Sequence, residues 1–173
     1  MITSTANEKV KFVKKLHDKK NRDAENLFIA EGVNILSDLK EGFSVKEIFA
    51  TDKTADIAEN LAKKYGACLT LVSESVMKVL ADTVSPSGIL AVIGIPLSKP
   101  EGKNAVVLDG VQDSGNVGTI IRTAVGAGFS DVYLVDSADA FSPKTVRARK
   151  LRYIQPRMSV TRLISLLRLF LTV

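Results

Sequence analysis

Residues 106–148 read VVLDGVQDSGNVGTIIRTAVGAGFSDVYLVDSADAFSPKTVRA, and the order of elements in this stretch decides the fold. Val106 to Leu108 is a short apolar run closing on Asp109, followed by a glycine-bearing loop from Gly110 to Gly115. Asn116 opens a helical pattern that runs to about Ala127, punctuated by Gly126 and Gly128, and Val132 to Val135 is the next apolar run. A strand, loop, helix, strand sequence favours parallel pairing through a right-handed crossover. It also gathers the loops at the carboxyl ends of the strands around a ligand site, which puts Asp109, Asp113, Asn116 and the segment Asp136 to Asp139 at that edge.

The loop has neither G-x-G-x-x-G nor G-x-x-x-x-G-K-[ST], so neither dinucleotide nor nucleoside-triphosphate binding is supported. A glycine-rich turn ahead of a helix still presents free backbone N–H groups to an anion. Asp113 and Asn116 equally suit a turn and an N-cap, and Gly115 and Gly118 equally suit close helix-to-strand packing. Arg122 stands inside a helix otherwise built of apolar and small residues, VGTIIRTAVGAG. It is either a solvent-facing side chain or a cation placed toward an anionic ligand.

Upstream, the chain alternates helix and strand. Lys9 to Leu16 reads as a helix, Leu27 to Ala30 as a strand, Val33 to Lys40 as a helix ending at Gly42, and Val45 to Ala50 as a strand. Thr54 to Tyr65 is helical up to Gly66, Cys68 to Val72 is a strand, Ser73 to Leu80 is a helix capped by Ser73, and Ile89 to Ile95 is a buried strand. The stretch Pro96 to Asn104, PLSKPEGKN, interrupts this with two prolines, a glycine and no apolar period. The expected organisation is a first domain over 1–97, a linker over 98–104, and a second domain beginning at Ala105.

With 173 residues and 46% hydrophobic content, the chain has enough apolar surface for a folded core. The single cysteine, Cys68, lies in the apolar run CLTLV, which suggests a core position, and without a second thiol it excludes disulfides and a thiolate zinc site. No metal is expected, and a reducing cytoplasmic setting fits. The polar, basic N-terminus lacks the apolar middle of a signal peptide, and no run approaches the roughly 20 residues of a membrane span.

The net charge of +5 is unevenly placed. From Ala140 onward there are eight Lys or Arg and no acid, leaving 16 basic against 19 acidic residues over positions 1–139. One local cluster remains: Lys9, Lys11, Lys14, Lys15, Lys19, Lys20 and Arg22. Such a density tracks phosphates or forms a solvated helix face.

LDGVQDSGNVGTIIRTAVGAG resembles the first signature of the SpoU/TrmH family of RNA ribose 2′-O-methyltransferases, members of the SPOUT class, through Leu108, Asp109, Val111, Asp113, Asn116, Gly118, Arg122, Thr123 and Ala124. Ser114 departs from it, standing where the family commonly has proline. FSPKTVRA (141–148) resembles the family's next segment, with Ser142 capping a helix and Pro143 in its first turn. KKNRDAENLFIAEGVNIL resembles the substrate-binding domain, of ribosomal-protein-like fold, that precedes the catalytic domain in many members.

The resemblance implies an α/β protein: an N-terminal RNA-binding domain followed by a Rossmann-like SPOUT domain. It implies S-adenosylmethionine as methyl donor, rRNA or tRNA as acceptor, and a homodimer. Arg122 and Asn116 are then the catalytic candidates, Arg122 acting on the ribose 2′-hydroxyl and Asn116 positioning the motif and substrate. Arginine side chains hold their proton to a pH above about 12, so phosphate anchoring and alkoxide stabilisation suit Arg122 better than proton abstraction. The lysine cluster would add sequence-independent attraction to the RNA backbone.

Family members continue with further strands, an N-E-G-x-G signature and a P-x-x-x-x-x-x-S-L-N-V-S segment, which form the trefoil knot that holds the donor. Residues 149–173, RKLRYIQPRMSVTRLISLLRLFLTV, show neither signature and shift abruptly in composition. The reading is of a frameshift or truncation after Ala148, with 160–170 as a basic amphipathic helix the alternative. It leads to four expectations: a SPOUT domain without its knot, no donor-binding residues, uncovered strands in the second sheet, and a chain monomeric or aggregation-prone. It further implies that methyl transfer is lost, with an RNA-binding module as the alternative function.

Overall fold

Strand β4 (Ile89–Gly94, ILAVIG) is buried along nearly its whole length, as a strand covered on both faces must be. In the computed structural model, which describes residues 1–39, 42–81, 83–96, 103–149 and 159–163, β4 is an inner strand of a four-stranded sheet ordered β1-β4-β2-β3. It runs antiparallel to β1 (Leu27–Glu31) and β2 (Val45–Ala50), and β2 pairs in parallel with β3 (Cys68–Leu71). This sheet belongs to the first of two compact units, Met1–Ile95 with Phe141–Pro143; the second comprises Pro96–Ala140 and Lys144–Val173.

Helices α1 (Glu8–Lys15) and α5 (Glu74–Ala81) share one hydrophobic cluster with Ile29, Phe49, Leu90 and Val92 of the sheet. Val10, Val13 and Leu16 recur at the spacing of one helix face and are all buried. Asn7 caps α1 by accepting the Lys9 backbone N–H at 2.9 Å. Ser73 caps α5, its hydroxyl accepting the Val76 N–H at 3.3 Å. Helix α4 (Ala55–Tyr65), entered through a 3-10 turn at Asp52–Thr54, packs against β2 and β3 and ends at Gly66 with φ +62°. That left-handed conformation is what glycine provides without steric cost.

Two expectations for this unit change, and one helix is added. The helix starting at Val33 is α3 (Val33–Ser37), shorter than read; Lys40 lies outside the described residues. Cys68, read as core, is exposed on β3, an edge strand. A further helix, α2 (Lys19–Glu25, KKNRDAE), has no apolar stripe, and its one buried residue is Arg22. Its ends carry the signal: Asp18 accepts the Lys20 N–H at 3.0 Å, and Asn26 terminates it at φ +53°.

The second unit is a three-stranded parallel sheet in the order β5-β6-β7, with β5 at Ala105–Asp109, β6 at Asp131–Val135 and β7 at Ser159–Leu163. Register runs Leu108↔Leu134 and Val135↔Leu163. Helix α6 (Ser114–Gly126) makes the crossover from β5 to β6, burying Val117, Gly118, Ile121 and Ala124. Helix α7 (Pro143–Arg149) follows, with Pro143 in its first position. Strand β7 corrects the expectation that the sheet ends at β6, because Asp131 to Val135 is paired on both edges. It also rules out a helix over Val160–Leu163. The linker residues 97–102, and the tail residues 150–158 and 164–173, lie outside the described residues. Among the described residues no helix is long and apolar enough to cross a membrane.

Candidate functional site

At the carboxyl ends of β5 and β6, two loops are sewn to each other. Gly110 N–H donates to Val135 O at 2.9 Å and Ala138 N–H to Val111 O at 2.8 Å. Ser137 completes the seam. Its hydroxyl accepts Val111 N–H at 3.0 Å, and its one proton serves Leu108 O at 3.0 Å or Val135 O at 2.9 Å. The Gln112 side-chain amide donates to Asp136 O. Asp136 holds φ +42°, a left-handed conformation that aspartate tolerates better than most residues. Nothing but Ser137's place after an aspartate at a strand end marks it in the sequence, because its role depends on two strand ends being adjacent in space.

Asp113 caps α6. Its Oδ1 accepts the Asn116 N–H at 2.8 Å, and its Oδ2 lies 3.8 Å from Lys144 Nζ of α7. A Cβ at Gly115 would stand 2.9 Å from Asp113 Oδ1, so glycine is what leaves the carboxylate room to cap. Thr145, fully buried, donates its hydroxyl to Asp139 O at 2.8 Å and ties α7 to the loop after β6. The motif residues Asp113 and Asn116, with Gly115 between them, thus make a capped helix entry carrying an exposed side-chain amide.

Asn116 and Arg122 share α6 but not one face. Six residues of helix separate them by about 9 Å along the axis and about 120° around it, placing them on opposite flanks of the buried stripe. Asn116 is exposed, and among the described residues its side-chain amide has no hydrogen-bond partner. Arg122 is half-buried and held by a neighbouring group.

The basic cluster divides across α1 and α2. Lys11, Lys14 and Lys15 fall within about 100° of arc on the side of α1 away from its buried residues. Lys9 pairs with Glu47 at 2.6 Å and Lys11 with Glu8 at 2.7 Å, while Lys14, Lys15, Lys19 and Lys20 are exposed. The bond from Lys11, reinforced by its charge, holds the Glu8 carboxyl below its ordinary range.

Arg22 does not belong with these lysines. It is 2% exposed, and its Nη1 donates at 2.7 Å to both Leu16 O and His17 O, the carbonyls at the end of α1. A guanidinium with five donors can satisfy helix-end carbonyls while buried, and that is the physical reason it leaves the solvent-facing set. His17 is partly buried with Nε2 2.7 Å from Leu80 O. Among the described residues no group of three or more His, Cys, Asp or Glu is placed to hold a metal ion.

Residues 103–163 match the SpoU rRNA Methylase family, and residues 7–91 match the MRM3-like substrate binding domain. The chain belongs to the SpoU rRNA methylase family. The match extends through Leu163, beyond Ala148, which corrects the reading that the family pattern stops there. Over 150 residues the chain is 41% identical to the 23S rRNA (guanosine(2553)-2′-O)-methyltransferase RlmP of Bacillus subtilis, covering 85% of this chain and 59% of that protein. It is 30% identical over 139 residues to the human mitochondrial rRNA methyltransferase 3, covering 73% of this chain and 33% of that one. The crystal structure of an AdoMet-bound rRNA methyltransferase from Sinorhizobium meliloti superposes with TM-score 0.77 at 30% identity, covering 95% of this chain and 64% of that one. The chain therefore spans less than two thirds of the length of these SpoU-family relatives.

Proposed function

We propose that this chain acts on ribosomal RNA as part of an S-adenosylmethionine-dependent ribose 2′-O-methyltransferase. The observation that carries the reading is the α6 entry: Asp113, Asn116 and Arg122 of the family signature lie on one helix whose start is fixed by a cap and by loops bound to each other at the ends of two parallel strands. Support comes also from the Bacillus subtilis relative, named for 2′-O-methylation of a 23S rRNA guanosine, and from the AdoMet-bound Sinorhizobium meliloti structure.

A ribose 2′-hydroxyl is a weak acid, and its oxygen carries negative charge as its proton leaves to a base or to solvent, charge that is spent as the O–C bond forms and the donor's S–C bond breaks. A fixed cation beside it stabilises that charge. Arg122, half-buried on α6, has this role and anchors the adjoining phosphate. Asn116, with an exposed amide offering two donors and an acceptor, orients the nucleotide at the helix entry. When bound, S-adenosylmethionine supplies an electrophilic methyl on a cationic sulfonium. The edge fits such a donor in charge, since Asp109 ends β5 and Asp136 directly follows the adjacent parallel β6. Residues 1–97 would recognise folded RNA, with 98–104 as linker and 105–148 as the first part of the methyltransferase domain. Lys9, Lys11, Lys14, Lys15, Lys19 and Lys20 would supply phosphate attraction. A cytoplasmic setting and a homodimer belong to the same proposal.

The expected loss of methyl transfer rested on the two donor-binding signatures not found in residues 149–173, whereas β7 bears on the separate expectation of an uncovered sheet edge. Tritiated S-adenosylmethionine and a 23S rRNA transcript test the function, with equilibrium dialysis for donor binding and ribose-methylation mapping for transfer. Incorporation abolished by Arg122→Ala supports it. RNA retention with neither donor binding nor methylation would leave an RNA-binding module instead.

A further inference from the structure

The first unit contains a cavity of about 300 Å³ between α1 and the sheet. Its floor is apolar, made by Val13, Leu27 and Val92, and its rim carries Phe12, Lys46 and the Lys9–Glu47 pair. That volume is at the small end of ligand pockets and suits a planar group the size of a nucleobase. Phe12 is 37% exposed and is the one aromatic among the exposed large apolar side chains of the described residues. Lys46 is exposed and has no ion-pair partner among the described residues. Glu47 Oε1 is taken by Lys9 and by the Thr70 hydroxyl, leaving Oε2 to accept from the amino edge of a base.

A free aromatic ring over an apolar floor, with an unpaired cation at the rim, matches the two halves of a nucleotide. We propose that this cavity receives a single unpaired base of the RNA, stacked on Phe12, with its flanking phosphate at Lys46. The inference rests on the reading of the chain as an rRNA-binding protein. It goes further in naming where single-stranded RNA is read, since Phe12 and Lys46 lie outside both the lysine cluster and the α6 signature. The cavity falls within the stretch matching a substrate binding domain, apart from Val92 immediately after it.

The test uses the full chain and fluorescence anisotropy with three RNAs: a hairpin with an unpaired loop, the same hairpin with an abasic loop, and the loopless duplex. The loop hairpin should bind about 10-fold more tightly than the abasic one, in line with base–aromatic stacking. Phe12→Ala should erase that preference, Phe12→Tyr should keep it, and Lys46→Gln should weaken binding to both hairpins. A 2-aminopurine in the loop should change fluorescence on binding to the wild type and not to Phe12→Ala. Amide exchange across Ile29 and Leu90 checks that each variant is folded. Folded Phe12→Ala that still prefers the loop hairpin as the wild type does overturns the proposal while leaving RNA binding intact. A wild-type chain binding none of the three RNAs overturns the RNA reading and this proposal with it. If Phe12→Ala changes only concentration-dependent sedimentation, the cavity seats a second copy of the chain and the proposal is overturned.

Discussion

Replacing Arg22 separates a structural cation from the RNA-facing ones around it. Its Nη1 donates at 2.7 Å to Leu16 O and to His17 O, the first beneath a fully buried residue and the second at a partly buried one. Arg22→Ala strips both carbonyls of that donor. A buried acceptor left without a partner costs about 1–3 kcal/mol, and water can reach the His17 carbonyl more readily, so the loss for the pair should be about 2–4 kcal/mol. That is a large part of the roughly 5–15 kcal/mol by which a domain is stable. Native-state hydrogen exchange with peptide-resolved mass spectrometry reads the first unit by itself, through amides at Phe28–Ala30 and Leu90–Val92. Their protection should fall by about 30-fold or more. Below the unfolding transition, the salt dependence of RNA binding should not move. Lys14→Gln with Lys15→Gln should do the reverse. Exchange should stay within about 0.5 kcal/mol of wild type, while the slope of log affinity against log salt should drop by up to about 1.4 on single-stranded RNA. Arg22→Ala with unchanged exchange and a shallower salt slope would refute the structural assignment and restore Arg22 to the RNA-binding set.

Gly115→Ala tests the α6 entry. Helix propensity alone favours alanine by up to about 1 kcal/mol, but a Cβ 2.9 Å from Asp113 Oδ1 displaces the cap. Gly115→Ala should therefore stabilise the second unit only in an Asp113→Ala background, with a coupling of about 1 kcal/mol in a double-mutant cycle; strictly additive effects would show that the cap does not depend on this glycine. On α4, the hydrogen bond from Lys63, 2.8 Å away, and then its charge hold Glu59 below the ordinary carboxylate range. A lowered pKa stabilises the folded state at pH above the unfolded carboxylate value, and that contribution is lost as pH falls through the lowered one. Lys63→Met should raise the Glu59 carboxyl midpoint in an NMR titration, and an unmoved midpoint would refute the pairing.

At the α6 entry, much of the site is legible in residue order. Asp113, Asn116 and the glycines sit at fixed spacings because cap geometry and helix period are local, so the sequence suffices to place them. The loop seam made by Ser137 depends on strands separated in sequence lying side by side, and no spacing along the chain encodes it. Helix α2 escaped a reading based on apolar periodicity because a buried arginine anchors it in place of apolar residues.

From the sequence alone followed the alternation of strands and helices, the break after Ile95, the family signature and the residues able to carry its chemistry. These rest on short-range rules of period, capping and turn chemistry. Only the tertiary structure decided that Arg22 is buried against the end of α1, that Cys68 is exposed, and that Ser159–Leu163 extends the parallel sheet. Each depends on which distant backbone groups meet and which surfaces lose water on folding, and neither is a property of any local stretch.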